Sequence, residues 1–519
     1  MYGIPPPPRL PKDAPQSKPS LSSSSQPTTS SSSRFTEIDP SSSRSAAKRT
    51  MDGEQSLVSY LLEHPAALFT DHERCFDLVA TAVLLWESVL SVGVVNYIKY
   101  TEIDFSTYMQ QAQAFLDGER DYSMMKGDSG PAYPERALVL SLLPHSYPAL
   151  HIYLYSAISR LTAGGKHLER AQWLFAGVYV LTMAIVIFGI YRRNPKIPPY
   201  ALPLLTISKR LHSIYMLRMF NDALVMLFVY SAIALYMVPA KTASPVQRRK
   251  LERRWLFGTV LMSCALSIKM STLLFLPALF YLLFTQSSPL TLLQHVLVLC
   301  LTQTLFALPF ALASRAHLTT YLSQAFDFSR TFEWEYTMNW RWLGEEAFEN
   351  PAWGKMLLVA HAAGLALWAW KWAEEDGGVE KVLRRALSKP TKKPALTALT
   401  SARIATLFFV SNLTGIVCAR SLHPQFYAWF AHQGVWMVFG TGWAIEPMHG
   451  LVVLSLIEYG FSVWPSTVNS SLGLVLSLLV TLVSVYYVEA DRSAVRGGKE
   501  GVVVPAEWAD AEGKGGKKE

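Results

Sequence analysis

Charge is scarce in this 519-residue chain: Asp, Glu, Lys and Arg make up 17% of it, against roughly a quarter in soluble domains. With 50% hydrophobic residues and a mean hydropathy of +0.20, that scarcity excludes an ordinary soluble globule. Cysteine is scarce too. Cys75, Cys264, Cys300 and Cys418 all lie in or beside apolar segments, none in CxxC or His-paired spacing, which excludes a disulfide framework and a zinc site. No apolar run follows the initial methionine, so no cleaved secretory leader is expected. Proline (30 residues) and glycine (29) are near their average abundance, which sets aside collagen-like and wholly disordered classes.

What the chain does have is long apolar runs. The first, Phe76–Ile98, is long enough to cross roughly 30 Å of hydrocarbon. Further spans are expected near 171–191, 199–213, 222–239, 255–270, 271–286, 291–313, 354–372, 403–421, 425–441, 448–464 and 470–489. Tyr147–Leu161 is either a full span or a fraction of one. The expectation is an all-α polytopic membrane protein with about 11–13 crossings. Residues 1–50, with runs at Pro5–Pro8, Ser22–Ser25 and Ser30–Ser33, bury too little apolar surface to fold and read as a disordered tail. A membrane domain is expected over 51–490, opening on an amphipathic stretch, Ser56–Phe69, and a basic tail over 491–519.

The formal net charge of +8 resolves into a pattern. Residues 1–50 hold seven Lys/Arg and three acids, 241–254 six basic residues and 371–394 seven. By contrast 101–146 carries seven acids against three bases, and 314–350 six against three. Basic segments stay cytosolic, so both termini are expected in the cytosol and both acidic loops on the far side. The charge is a topology signal and gives no reason to expect a nucleic-acid partner. Arg192, Arg193 and Lys196 break strict alternation: either Tyr147–Leu161 is re-entrant or that loop violates the rule.

Four constellations carry chemistry. Tyr100-Thr101-Glu102-Ile103-Asp104 places two carboxylates where the first span ends. Asp104 there is either a general base or the cap of a short helix with Glu102 merely solvated. Residues 208–222 interrupt apolar sequence with Arg210, His212, Arg218, Asn221 and Asp222. Such residues are costly at membrane depth and face a cavity or a partner; the cations suit a phosphate group, or else snorkel to headgroups. The loop 321–348 is rich in aromatics and contains Asn339 and Arg341, a composition that suits sugar stacking and an interfacial aromatic belt equally. Arg420, His423, Gln425 and Tyr427 follow a span. Lys269 within a span needs a partner or a polar cavity. Asn412-Leu413-Thr414 and Asn469-Ser470-Ser471 match the glycosylation pattern, but neither is expected to be modified because they lie in or against the membrane.

Taken in order, Tyr-Thr-Glu-Ile-Asp, Gly127-Asp128-Ser129-Gly130-Pro131, His-Ser-Ile-x-x-Leu-Arg-x-Phe-Asn-Asp, Asn-Trp-Arg, Ser-Leu-His-x-Gln-Phe-Tyr and Trp464-Pro465-Ser466-Thr467 resemble the dolichyl-phosphate-mannose-dependent α-1,3-mannosyltransferases of N-glycan precursor assembly. The likeness spans roughly 70–490. It implies a GT-C helical bundle whose luminal loops carry short helices, in the endoplasmic reticulum membrane. It also implies inverting transfer of mannose from dolichyl phosphate mannose to a dolichyl-diphosphate-linked pentamannosyl oligosaccharide. Asp104 matches the family's acidic base, with Glu102 second. Arg210, His212, Arg218, Asn221, Asp222, Asn339, Arg341, Arg420, His423, Gln425 and Tyr427 would contact substrate. No cofactor is implied, and the acidic loops lack a DxD-type metal motif. Two stretches depart from the family: a 15-residue insertion, Ala132–Ser146, and Phe430–Gly434. Two other classes compete. An organic-anion transporter would use Lys269, Arg218 and Arg420 but normally shows internal repeats, which are missing here. A structural subunit would leave the acidic pair without a role.

Overall fold

The computed structural model describes residues 57–127, 147–237, 245–328, 333–392, 396–441 and 447–497. The expected N-terminal tail, the insertion at 132–146 and the last residues of the C-terminal tail lie outside these. The chain divides into two units, Met1–Ser59 and Tyr60–Glu519, and the bundle described here belongs to the second. Its described residues form helices and turns without a strand.

Helix α1 (His72–Tyr97) starts where Asp71 accepts a hydrogen bond from the Arg74 N–H at 3.1 Å. At 26 residues and ~1.5 Å per residue it exceeds the hydrocarbon thickness. Its inward stripe is Phe76, Ala80, Val83, Glu87 and Ser91, spaced by three or four. Leu85, Trp86 and Val89 point outward, each more than half exposed, as a lipid-facing surface demands. Short helices α2 (Phe105–Leu116) and α3 (Ala149–Leu161) follow and pack on each other. α4 begins as Leu168–Ala184 and runs on to Arg193 through a wider turn.

The centre is α5 (Asn221–Tyr236), buried on nearly every side. Around it lie α6 (Pro245–Leu266), α7 (Met270–Gln286), α8 (Pro289–Ala313), α9 (Pro351–Glu374), α10 (Ser401–Val417), α11 (Pro447–Ser462) and α12 (Val468–Gly497). α10 shares the centre with α5; α8 and α9 expose long apolar flanks. By length and composition five described helices can cross a membrane (α1, α4, α8, α9 and α12), and a sixth if the bent pair Lys209–Leu217 and Asn221–Tyr236 counts as one. α7, α10 and Met448–Ser462 of α11 are shorter apolar helices. The polytopic all-α expectation holds, with fewer full-length helices than apolar runs.

Three expected spans fold differently. Residues 199–213 form a 3₁₀ turn, Pro199–Leu205, then a four-residue helix, Lys209–His212, because Pro198, Pro199 and Pro203 withhold backbone donors. Residues 425–441 break into Pro424–Trp429, Ala431–Val435 and Trp436–Gly440. Tyr147–Leu161 yields only the 13 residues of α3, or ~20 Å at ~1.5 Å each, too short to cross alone.

The path between α4 and α5 bends by 110°. Met219 takes φ +48° there, a left-handed conformation that non-glycine residues seldom adopt. Carbonyls freed by the bend find donors from elsewhere: Thr101 N–H to Leu217 O (3.0 Å), Gln172 Nε2 to Met216 O (3.1 Å) and Tyr155 hydroxyl to Met219 O (2.9 Å). Irregular backbone at membrane depth survives only when satisfied inside protein, and here it is.

Candidate active site

Glu102, not Asp104, caps α2. Its Oε1 accepts from the Ser106 N–H at 3.0 Å and the Ser106 hydroxyl at 3.1 Å, while Oε2 takes the Tyr100 hydroxyl. Asp104 occupies the cap position without making a cap bond. It accepts instead from the Tyr108 hydroxyl one turn on, at 3.2 Å. The local role available to either carboxylate has fallen to Glu102, which leaves Asp104 with spare acceptor capacity. Burial pushes the Asp104 carboxyl above its usual range; the Tyr108 bond and the Lys269 cation oppose that rise, while Asp222 and Glu102 add to it. Lys269, Asp222 and Glu102 therefore lie within electrostatic reach of the same carboxylate.

Lys269 sits in extended backbone at the break between α6 and α7. Its Nζ lies 2.7 and 2.8 Å from the two carboxylate oxygens of Asp222, on the first turn of α5. Trp429 Nε1 donates to Asp222 Oδ1 at 2.5 Å, and the Phe426 ring faces the ammonium at 5.2 Å. Asp222 is fully buried and Lys269 nearly so, so each charge depends on the other. Four stretches distant in sequence meet at this pair: the loop after α1, the start of α5, the α6–α7 break and the turn Pro424–Trp429. Behind them His151 stacks on Tyr147 at 4.5 Å, Tyr108 meets its ring edge-on at 4.8 Å, and its Nδ1 lies 3.3 Å from Asn221 Nδ2.

A second cluster flanks the first through the same turn. Arg210 follows Ser208, whose hydroxyl caps the short helix at 3.1 Å; its guanidinium reaches Ser462 O at 3.3 Å and lies near Glu458 and Tyr427. Arg218, at the bend, feels the Arg210 charge. Two arginines thus converge on partly buried ground beside Tyr427, while Trp429, two residues on, holds Asp222.

The remaining expected residues serve other ends of the site. His212 Nε2 pairs with Glu87 at 2.8 Å inside the bundle, and its Nδ1 lies 3.1 Å from Ser208 O; it locks the arginine segment to α1. Asn339 is a staple: Nδ2 donates to Ala419 O (2.8 Å), and Oδ1 accepts from Leu422 N–H (2.8 Å) and the Thr337 hydroxyl (2.9 Å). Arg341 stacks on Trp334 at 3.6 Å and bonds Trp334 O. Arg420, His423 and Gln425 are partly exposed along the strip that this loop clamps. Asn412 spends its amide on Trp429 O and Gln433 in the core, out of reach of glycosylation. Sequence reasoning assigned no role to Glu87, Tyr108, His151 or Trp429. Glu87 had a visible signal, as a lone carboxylate within an apolar span; the others look like ordinary core residues until the fold brings them together.

A helical bundle with lipid-facing flanks, gathering acids, cations and aromatics at helix–loop junctions, defines a multi-pass membrane protein with a polar site at one end. Within that class, the family model described as "ALG3 protein" matches residues 81–471, and the chain belongs to this family. Relatives named Dol-P-Man:Man(5)GlcNAc(2)-PP-Dol alpha-1,3-mannosyltransferase include those of Neurospora crassa (36% identical, 79% of this chain and 87% of the relative), Arabidopsis thaliana (33%, 86% and 94%) and Mus musculus (33%, 79% and 86%). Among solved structures, ArnT from Cupriavidus metallidurans bound to undecaprenyl phosphate is 14% identical, with a TM-score of 0.36 over 80% of this chain and 78% of that one.

Proposed function

We propose that this chain is an inverting mannosyltransferase of the GT-C type. It moves mannose from dolichyl phosphate mannose to Man5GlcNAc2-diphosphate-dolichol in α-1,3 linkage, at the luminal face of the endoplasmic reticulum. Family membership supports the substrates. The observation that carries the chemistry is the division of labour between the two carboxylates: Glu102 is spent on capping, and Asp104 is held by one tyrosine with room for another donor.

In this reading Asp104 accepts the proton of the acceptor hydroxyl as that oxygen bonds to the anomeric carbon. The bond from that carbon to the donor phosphate breaks, and its electron pair leaves with dolichyl phosphate. A carboxylate lifted above its ordinary range is a stronger base once ionised. Arg210 and Arg218 hold the departing phosphate, whose charge grows as the bond breaks. Lys269, neutralised by Asp222, fixes the floor between base and arginines. His423, Gln425, Tyr427 and Arg420 line the path of the substrates, while Asn221, Asn339, Arg341 and His212 hold the walls.

The test is transfer by the purified chain in liposomes, with both lipid substrates and EDTA throughout. Asp104→Asn should reduce turnover by roughly 10²–10⁴-fold, the usual worth of a positioned base, without changing Tm. Product formed equally well by that variant would remove Asp104 from the role. No product from the folded wild type would remove the transferase reading and return attention to an anion transporter.

A further inference from the structure

A groove of about 430 Å³ opens beside α2, lined by the polar side chains of Glu102, Ser106, Gln110 and Gln113, by the Gly164–Gly165 turn, and by Tyr100, Phe105, Met109 and Leu168. Ser106, Gln110 and Gln113 recur at intervals of four and three, which places them along one face of the helix, with Glu102 just ahead of its first turn. Tyr108 and Ala112 on the opposite face are buried in the core, and Phe105 and Met109, also buried, border the groove. Gln110 and Gln113 are exposed, and Gln113 Nε2 is oriented by Asp117 Oδ1 at 2.8 Å.

The far wall is bare backbone by necessity. Gly164 and Gly165 take φ of +73° and +89°, and a Cβ at Gly165 would come within 3.2 Å of Met109 Cγ. Thr162 holds this turn through its hydroxyl, which accepts from Gly165 N–H at 3.0 Å. Ala163, between them, also adopts positive φ, +51°, so the chain bears a strained residue in the tight turn that forms this wall.

The lining chemistry selects the ligand. No lysine or arginine lines the groove and a carboxylate does, which disfavours phosphate. Phe105, Met109 and Leu168 add apolar surface, which the C–H face of a sugar can pack on, so the polar groups decide the ligand. Amide, carboxylate and hydroxyl groups beside an aromatic ring are the groups that pair with sugar hydroxyls. The volume falls within the ~300–1,000 Å³ of small-ligand sites, and Glu102 joins this groove to Asp104 two residues away.

We propose that the groove is a neutral sugar subsite, holding acceptor mannose residues remote from the hydroxyl that Asp104 deprotonates. This rests on the transferase reading for the identity of the sugar, but not for its binding. The acceptor is thereby gripped on both sides of α2's first turn, its reacting sugar at Asp104 and its distal arm along Gln110 and Gln113.

The test is the double substitution Gln110→Ala/Gln113→Ala, both at exposed positions where truncation leaves the core intact. Transfer is measured against each lipid substrate, and free Man5GlcNAc2 glycan serves as a competitor and as a direct binding probe by thermophoresis. The double variant should raise the acceptor KM and the glycan inhibition constant by about fivefold or more, the effect of losing one or two net hydrogen bonds, with donor KM unaltered. Unchanged acceptor KM and glycan affinity would overturn the subsite, as would a rise confined to donor KM. If the wild type transfers no mannose but binds the free glycan, and the double variant loses that binding, the subsite stands and the transferase reading falls.

Discussion

Asp104 sits among charges of both signs, and their balance should be visible in the pH dependence of turnover. In the proposed mechanism Asp104 works only when ionised, so activity should fall as pH drops through its pKa. Burial, Asp222 and Glu102 raise that pKa, while Tyr108 and Lys269 lower it. The acid limb of the kcat profile should therefore lie above the ordinary carboxylate range near ~4. Lys269→Met removes a cation and unmasks Asp222, two changes of the same sign, and should move the limb to higher pH. Asp222→Asn leaves Lys269 unpaired and should move it lower. Each single change strands a buried charge at a cost of about 3–5 kcal/mol, so Tm should fall in both, and the double variant Asp222→Asn/Lys269→Met should recover much of it. Limbs moving together in the two single variants would sever Asp104 from this pair. Much of this site was legible, because Glu102, Asp104, Asp222 and Lys269 are charges out of place in apolar sequence. Which carboxylate caps the helix was not, since both stand within reach of the same turn and only the backbone path decides.

At the scale of elements, apolar runs mark helices well and breaks poorly. Ser267-Ile268-Lys269 and Arg218-Met219-Phe220 each separate one helix from the next, and in sequence they read as small polar interruptions. Their importance comes from what the break exposes, namely free carbonyls and a lysine turned inward, and no periodicity records that. The loop 333–344 makes the same point. Its aromatics suggested a sugar platform or a membrane belt, yet much of it is anchored: Trp340 Nε1 donates to Ala419 O at 2.7 Å, and Met338 N–H to Leu422 O at 2.9 Å. Asn339→Ala would strand the buried Leu422 N–H, costing about 1–3 kcal/mol. A measured drop in Tm is expected, together with reduced transfer, because the strip leading to His423 and Tyr427 loses its clamp. Asn339→Asp keeps the acceptor oxygen but sets a carboxylate oxygen against Ala419 O and buries its charge, so it should be no more stable than Ala. An Ala variant as stable as wild type would reduce the staple to a coincidence of packing.

Across the whole molecule, the described elements sort onto two ends of the bundle. At one end α1 begins, with His72 Nδ1 2.7 Å from Ile197 O and Asp77 accepting from Arg192 at 2.6 Å. Arg193 and Arg254 there both reach Ala234 O, at the end of α5. The last turns of α9 lie there with Lys371, whose ammonium faces Tyr486 of α12 at 5.7 Å. At the other end stand Asp104, Asp222, Lys269 and the clamped acidic loop. The puzzle of Arg192 and Arg193 dissolves in this geometry: α3 is too short to cross, so α4 returns the chain to the end where α1 began, and the basic residues gather together after all. The proposed function, with positive-inside logic, expects the basic end in the cytosol and the acid site in the lumen. In a cysteine-free background, Ser388→Cys at the basic end and Glu346→Cys at the site end, both exposed, separate the alternatives. In sealed microsomes a membrane-impermeant maleimide should label position 388 at once and position 346 only after permeabilisation. The reverse pattern would turn the protein over and place the transfer chemistry on the cytosolic face. Labelling of both before permeabilisation would mean that the two ends are not separated by a membrane, and the charge asymmetry would need another cause.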